Sequence, residues 1–273
     1  MAIEIENIEV LLLTEAIYQR WGYDFRDYAP TSLKRRIRRI VELEKFSSIS
    51  ALQEEILRDS ACMQRFLDEV SVNVTSMFRD PGFYRAFRAT VVPLLKEQPS
   101  LRIWHAGCAT GEEVYSMAIL LQEEGLLDRT RIYATDLDQA VLEKAKEGIY
   151  RLGLMKEYTE NYQAGGGKAA FSEYYQAGHG HAVMRKDLSK KIVWARHNLV
   201  TDASFNEFHL ILCRNVLIYF NTRLQQRAHR LFYKSLTKGG VLVLGRAETM
   251  QLTPHESHYR TLNRREKIFQ RMI

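Results

Sequence analysis

Cysteine is scarce in this 273-residue chain. Cys62, Cys108 and Cys213 are too few and too scattered for a disulfide framework or a zinc cluster, and they read as reduced thiols. No stretch approaches the roughly 20 apolar residues of a membrane span. The first residues lack the basic-then-apolar pattern of a signal peptide. A cytoplasmic chain without membrane insertion is therefore expected. There is no internal repeat and no low-complexity tract. A metal site is not expected either: His179 and His181 in Gly178-His179-Gly180-His181 lack further clustered His, Cys or Asp ligands, and they read as a turn. No Ser-His-Asp or Cys-His nucleophile constellation is visible. The Lys-Ser/Thr pair of a P-loop is missing as well.

The strongest positive signal is the fourteen residues His105–Ala118, HAGCATGEEVYSMA. The apolar run Leu101–Trp104 reads as a strand leading into them. Gly107 and Gly111 force a tight turn, and Glu112 through Leu121 reads as a helix. Strand, glycine turn and helix form the ligand-binding corner of a doubly wound sheet, where a missing Cβ lets backbone approach a ligand. Glu112 and Glu113 stand where a phosphate would need exposed N–H groups and no negative charge. Carboxylates there fit a ligand with a cationic end, such as the methionine part of S-adenosylmethionine. A nicotinamide dehydrogenase is disfavoured for the same reason. The next predicted strand, Arg131–Thr135, runs into Asp136 and a helix from Leu137 to Glu147. An acidic residue roughly 20 positions past a glycine loop binds ribose hydroxyls in such sheets, and Asp136 lies slightly beyond that. The competing reading is an N-cap, a task Asp138 could perform equally well.

Charge is the second signal. The net charge is +6, and the densest basic run is Lys34-Arg35-Arg36-Ile37-Arg38-Arg39. Pro30 with Thr31 or Ser32 as cap predicts a helix start. Leu33, Ile37, Ile40 and Val41 share one face, leaving Lys34, Arg35, Arg38 and Arg39 off it. Mutual repulsion at i,i+4 spacing favours an acidic partner surface over a merely solvated face. No aromatic interleaving or nucleic-acid module accompanies the run, so nucleic acid is not the expected partner. A nucleic-acid methyltransferase acting on amines would carry an Asn/Asp-Pro-Pro-aromatic sequence where this chain has Cys213-Arg214-Asn215-Val216. Cys213 as a cytosine-attacking thiolate would want a preceding proline, and Leu212 is there.

Residues 1–72 carry helical periodicity only. A link follows, and Pro81 opens the next helix. From Leu101 onward strands alternate with helices, which predicts an α/β fold with a parallel sheet. Phe208–Cys213 and Gly240–Gly245 read as later strands, with a helix over Thr222–Leu236. The stretch 151–197 breaks the rhythm: Gly165-Gly166-Gly167 and Gly178-His179-Gly180 read as loops, Ala182–Arg185 and Ile192–Ala195 as short antiparallel strands.

Several motifs in order carry a resemblance: Gly22-Tyr23-Asp24-Phe25 and the basic helix, VNVTSMFRD (72–80), WHAGCATGEEVYS (104–116), ATDLD (134–138), His197-Asn198-Leu199, CRNVLIYF (213–220) and GRAETM (245–250). Over nearly its full length the chain resembles the CheR family of chemotaxis receptor methyltransferases. The resemblance implies a helical substrate-recognition domain over 1–72, a linker over 73–90 that contributes to the cofactor site, and a Rossmann-like S-adenosylmethionine-dependent methyltransferase domain over 91–273. A small antiparallel β insertion is implied at about 151–197. It implies methylation of glutamate side chains on the cytoplasmic helices of chemoreceptors, with S-adenosylhomocysteine as product. By motif, the cofactor residues would be Asn73, Thr75, Arg79, Ala106, Gly107, Glu113, Asp136, Asn198, Leu199, Arg214 and Asn215. Tyr219 and Arg79 would serve the transfer itself, and Lys34, Arg35, Arg38 and Arg39 the receptor. Val114 stands where some relatives have proline and Ala109 where many have serine, and neither departure removes a charged contact. The triple-glycine insertion differs more, which weakens inference about receptor tethering. A non-chemotaxis signalling substrate, or a cofactor-binding module without turnover, are the alternative readings.

Overall fold

Helix-stop and helix-start residues segment the first part of the chain. The computed structural model describes residues 4–70, 75–251 and 253–273. Helix α1 (Ile5–Trp21) ends at Gly22, whose φ of 76° lets its N–H return to the Tyr18 carbonyl. Helix α2 (Pro30–Leu43) starts on Pro30 after Ala29, with no capping side chain. Thr31 and Ser32 thus lie inside the first turn rather than capping it. Proline at the first helical position has no N–H to satisfy, which lowers the demand for a cap. Leu33, Ile37 and Ile40 are buried as the periodicity requires, and Val41 is half-buried. Ser48 caps α3 (Ile49–Arg58) by accepting from the Ala51 N–H. Asp59 accepts from the Ala61 and Cys62 N–H groups to start α4 (Ser60–Val70).

Contacts divide the chain into two units. The helical unit joins the described residues up to Val70 to a later segment, Leu217–Ala228. That return is fixed by backbone pairing of Tyr28 with Phe220, by the Ala29 N–H on the Tyr219 carbonyl at 2.8 Å, and by Asn221 on Asp27. Phe25 packs edge-on against Tyr28 and Phe66, and Tyr28 against Phe220.

The sheet unit holds the described residues from Thr75 to Val216, and His229–Ile273. Its elements in order are α5 (Pro81–Thr90), α6 (Val92–Lys96), β1 (Leu101–Ala106), α7 (Glu112–Glu123), β2 (Thr130–Asp136), α8 (Gln139–Glu147), β3 (Ile149–Arg151), α9 (Met155–Ala164), β4 (Tyr175–Gly178), β5 (His181–Met184), α10 (Lys186–Ser189), β6 (Ile192–Arg196), β7 (Phe208–Cys213), the end of α11 (Thr222–Ser235), β8 (Leu236–Leu244), β9 (Tyr259–Asn263) and β10 (Ile268–Arg271). The main sheet runs β6-β2-β1-β7-β8-β10-β9. Its first five strands are parallel, and the near-continuous apolar burial of the central β1 and β7 is what a sheet covered on both faces demands. The β9–β10 hairpin adds two antiparallel strands that the sequence reading did not include.

A second sheet, β3-β5-β4, is antiparallel and lies in the inserted region. Ile192–Ala195 is not part of it. This segment pairs in parallel with β2 as an edge of the main sheet, Ile192 opposite Ile132 and Trp194 opposite Ala134. Four residues of apolar alternation carry no information about which neighbour they pair with, so the earlier assignment to the insertion fails. His179 and Gly180 form the two-residue turn between β4 and β5, with φ of 49° and 78°. Both central residues at positive φ mark a hairpin turn that matches strand twist. Among the described residues no group of side chains is disposed to hold a metal ion.

Packing explains the last of the three glycines, Gly167. The buried Tyr162 ring hydrogen-bonds Glu123 through its hydroxyl, and Gly167 lies flat against it. A Cβ on Gly167 would sit 2.2 Å from a ring carbon. Gly167→Ala should therefore cost about 1–3 kcal/mol by overpacking. Gly178→Ala, where a Cβ meets nothing within 4 Å, should leave stability nearly unchanged. Paired denaturant melts check this, and equal effects would refute the packing account.

Candidate functional site

The carboxyl ends of β6, β2, β1, β7 and β8 lie side by side in the sheet. The order of strands reverses between β1 and β7, leading outward to β2 and β6 on one side and to β8 on the other, which makes their carboxyl ends the topological switch point where ligands bind in open α/β sheets. Most of the predicted cofactor residues sit on these ends or in the loops leaving them.

Ala106 closes β1. In the following loop, Gly107 and Cys108 both donate their N–H groups to the Thr135 carbonyl at 2.9 Å. Gly107 and Gly111 have φ of 77° and 90°. A Cβ on Gly107 would lie 2.5 Å from a Val216 methyl, and one on Gly111 3.0 Å from the Ala145 Cβ. Backbone handedness and protein packing exclude side chains there.

Two readings of Asp136 were open, and the hydrogen bonds separate them. Asp138 is the cap of α8, its carboxylate accepting from the Ala140 N–H at 2.9 Å. Asp136 instead accepts from the Ala109 N–H (2.9 Å) and the Asp138 N–H (3.2 Å), one on each oxygen. Burial pushes its carboxyl pKa up, opposed by the backbone N–H groups of Ala109, Asp138 and Leu137. Three backbone donors leave the carboxylate about one of its roughly four lone-pair sites.

The acidic pair divides. Glu112 is buried, its carboxylate taking the Thr110 hydroxyl at 2.7 Å, and burial raises its pKa. Glu113 is the one held as an anion. Burial works against its charge, but the Arg214 guanidinium and His105 outweigh that and bring it to about 2. His105 Nδ1 lies 3.1 Å from one Glu113 oxygen and Arg214 Nη1 2.7 Å from the other. The second nitrogen of Arg214, Nη2, donates to Asp80 at 2.8 Å, and the guanidinium lies 4.3 Å from the Phe83 ring centroid. The Arg214 side chain is only 2% exposed. Asp80, His105 and Phe83 were not picked out as site residues by sequence reasoning, although the first two stand inside the quoted motifs.

Thr75 and Arg79 are half-buried in the segment before α5. This segment is fastened by the Phe78 N–H on the Ser116 hydroxyl and the Arg79 N–H on the Ser76 carbonyl. Asn73 lies outside the described residues. Asn198 and Leu199 follow β6, where the His197 N–H donates to the Asp136 carbonyl at 3.0 Å. Asn198 accepts from the Val200 N–H, and both residues are buried. Asn215 has φ of 62°, with the Gly245 Cα so close that a Cβ there would be 2.8 Å from the Asn215 nitrogen. Glu248, also missed, fastens this turn by accepting from the Val216 and Gly245 N–H groups. Burial raises the thiol pKa values of Cys108 and Cys213 well above their ordinary range, so neither is a thiolate near neutral pH.

The remaining predicted residues belong to the helical unit. Tyr219 is half-buried, with the Arg36 guanidinium 5.1 Å from its ring centroid. The basic run proves less unbalanced than it reads. Lys34 bonds Asn7, Arg38 is bridged to Glu6, and Arg39 to Glu69 at 3.1 Å. Acids on α1 and α4 thus relieve repulsion within α2, so the argument that repulsion alone demands an acidic partner fails. Arg35 is exposed and has no ion pair among the described residues.

Residues 8–71 match the family model described as "CheR methyltransferase, all-alpha domain", and residues 73–268 that described as "CheR methyltransferase, SAM binding domain". The protein named "Putative methyltransferase Cher3" of Pseudomonas putida is 48% identical over 265 residues, covering 97% of each chain. The "Chemotaxis protein methyltransferase" of Listeria monocytogenes is 32% identical, over 93% of this chain and 95% of its own. That of Salmonella typhimurium is 31% identical, over 86% of this chain and 82% of its own. Among solved structures, the N-methyltransferase NodS of Bradyrhizobium japonicum aligns at a TM-score of 0.35 and 16% identity over 71% of this chain and 70% of that one, too low to carry an argument.

The donor set fits S-adenosylmethionine. The Asp136 carboxylate retains acceptor capacity for a ribose diol, and Glu113 has an unused lone pair on each oxygen for an ammonium group. The Asn198 side-chain N–H₂ makes no hydrogen bond among the described residues.

Arg214→Met should destabilise the fold by about 3–5 kcal/mol, because it removes the arginine partner of Glu113 and one of the two arginines on Asp80. The acid response should change as well. Glu113 with a folded pKa of about 2 against an ordinary 4.5 contributes stability that is complete above pH 4.5 and lost as pH falls toward 2. That acid-labile portion should shrink in the variant. Urea melts of both proteins between neutral pH and pH 3 test this, and parallel pH profiles would contradict it.

Proposed function

We propose, from the premise that the chain belongs to the CheR methyltransferase family, that it transfers the methyl group of S-adenosylmethionine to glutamate side chains on the cytoplasmic helices of chemoreceptors, forming γ-glutamyl methyl esters. The domain over 73–268 is a methyltransferase domain that binds S-adenosylmethionine. The observation that carries the reading is the pairing of an ionised Glu113, fixed by Arg214 and His105, with the Asp136 carboxylate on the adjoining strand end. One carboxylate suits the cationic end of the cofactor and the other its ribose.

When bound, S-adenosylmethionine supplies a methyl group activated by a positive sulfur. The acceptor glutamate has an ordinary pKa of about 4.3 and is already a nucleophile near neutral pH, so the protein needs no base. Its task is alignment and exclusion of water, which in well-aligned cases contributes roughly 7–11 kcal/mol. Ala106, Gly107, Asn198, Leu199, Asn215, Thr75 and Asn73 are assigned to the cofactor by motif, with Arg79 and Tyr219 assigned to the transfer. On this reading Lys34, Arg35, Arg38 and Arg39 meet the receptor, with Lys34 and Arg35 the members that have no ion pair among the described residues. No helix among the described residues is long and apolar enough to cross a membrane, and a cytoplasmic location completes the proposal.

Incubation with methyl-labelled cofactor and a receptor cytoplasmic fragment, followed by mild alkali, should release volatile labelled methanol. Label that resists alkali would point to a nitrogen acceptor and overturn the ester reading. Label on another signalling protein but not on receptors would move the substrate. Separately, Asp136→Ala should weaken S-adenosylhomocysteine binding by about 1.5–3 kcal/mol, the value of hydrogen bonds to a charged group. Wild-type affinity by calorimetry in a folded variant would remove Asp136 from the site.

A further inference from the structure

A groove between α5, the end of α9 and the turn joining β9 to β10 has a volume of about 500 Å³. That lies within the roughly 300–1,000 Å³ of small-molecule sites. Its charge is one-sided: Arg85, Arg246 and Arg265 line it against a single carboxylate, Glu266. That carboxylate is buried and committed, both oxygens accepting from Arg246 at 2.8 and 2.9 Å. Arg265 approaches it only to 3.6 Å, and its side chain is 84% exposed. Arg85 is exposed, donates to the Ala164 carbonyl, and has no ion pair among the described residues. Its stem runs beside Gly166, where a Cβ would lie 3.8 Å from the Arg85 Cγ. The triple glycine therefore backs one wall of the arginine cluster.

Arg246 is met by Glu266 and Asp80, so the charge left for an anion in the cavity is that of Arg85 and of the loosely paired Arg265. Their planar forks match phosphate oxygens two at a time. We propose that this groove binds a phosphate-bearing small molecule of nucleotide size. Arg85 and Arg265 supply the charge, and the Asn263 side-chain N–H₂, which makes no hydrogen bond among the described residues, supplies a neutral donor. Arg246 connects the groove to the cofactor residues. Its Nη1 lies 3.3 Å from one Asp80 oxygen, while the other Asp80 oxygen holds Arg214. An anion beside Arg246 acts on the chain Arg246–Asp80–Arg214–Glu113, and any resulting coupling with cofactor binding is reciprocal. The groove shares no residue with those assigned to S-adenosylmethionine and does not depend on the receptor as substrate.

The test is calorimetric titration of inorganic pyrophosphate into the full chain already saturated with S-adenosylhomocysteine, so that the cofactor site is blocked. Titration of S-adenosylhomocysteine itself comes first and reports separately on the cofactor reading. Wild type should show saturable pyrophosphate binding that weakens as salt is raised. Arg85→Gln combined with Arg265→Gln should weaken it by about tenfold or more, the scale of lost charged hydrogen bonds. The melting temperature of this double variant should stay near wild type, since both side chains are exposed. Absence of saturable binding to wild type, or equal affinity in the folded double variant, overturns the proposal.

Discussion

One guanidinium holds the cofactor end of the sheet unit together. Arg214 stands at the end of β7, almost wholly removed from solvent, and is clamped between Glu113 at the start of α7 and Asp80 before α5. A buried arginine is tolerable only when its charge is met by well-placed acceptors, and Glu113 has no other arginine, whereas Asp80 also reaches Arg246. Three segments far apart in sequence are thereby forced to one point. The consequence for chemistry is that Glu113 stays ionised in a place where burial alone would tend to neutralise it.

Backbone strain gathers around the same point. Among the described residues seven non-glycine residues have positive φ, and four of them, Phe78, Asp80, Ala109 and Asn215, belong to the segments that build this site. Such conformations cost of order 1–3 kcal/mol each and persist only where surroundings over-determine them. The surroundings here are specific: Phe78 is fixed through Ser116, Asp80 through Arg214, Ala109 through Asp136, and Asn215 lies in the turn that Glu248 fastens. Loops that must present several groups with little freedom are thus held by the same carboxylates and arginine that give the site its charge.

Much of this was readable from the chain. The glycine turn after a short apolar run, the acid at the end of the next strand, and the motif order announced a Rossmann-like methyltransferase domain behind a helical one, and the family models agree. What misled were inferences drawn from single neighbours. The basic run on α2 looked unbalanced because its acids, Glu6 and Glu69, lie about 30 residues away on either side. Glu112 and Glu113 looked like a pair, yet adjacent helical residues point about 100° apart, so one was buried against Thr110 and the other joined Arg214.

Local sequence determined what depends on nearest neighbours: helix starts at Pro30, Ser48 and Asp59, the His179-Gly180 hairpin turn, and the apolar strands of a sheet covered on both sides. Tertiary structure alone decided which strand Ile192–Arg196 would join, why Gly167 and Gly107 must lack side chains, and that Asp80 and Glu113 would share Arg214. The physical reason is that pairing, packing clearance and the pKa of a buried carboxylate are set by groups distant in sequence, through interactions that exist only once the sheet has brought its strand ends together.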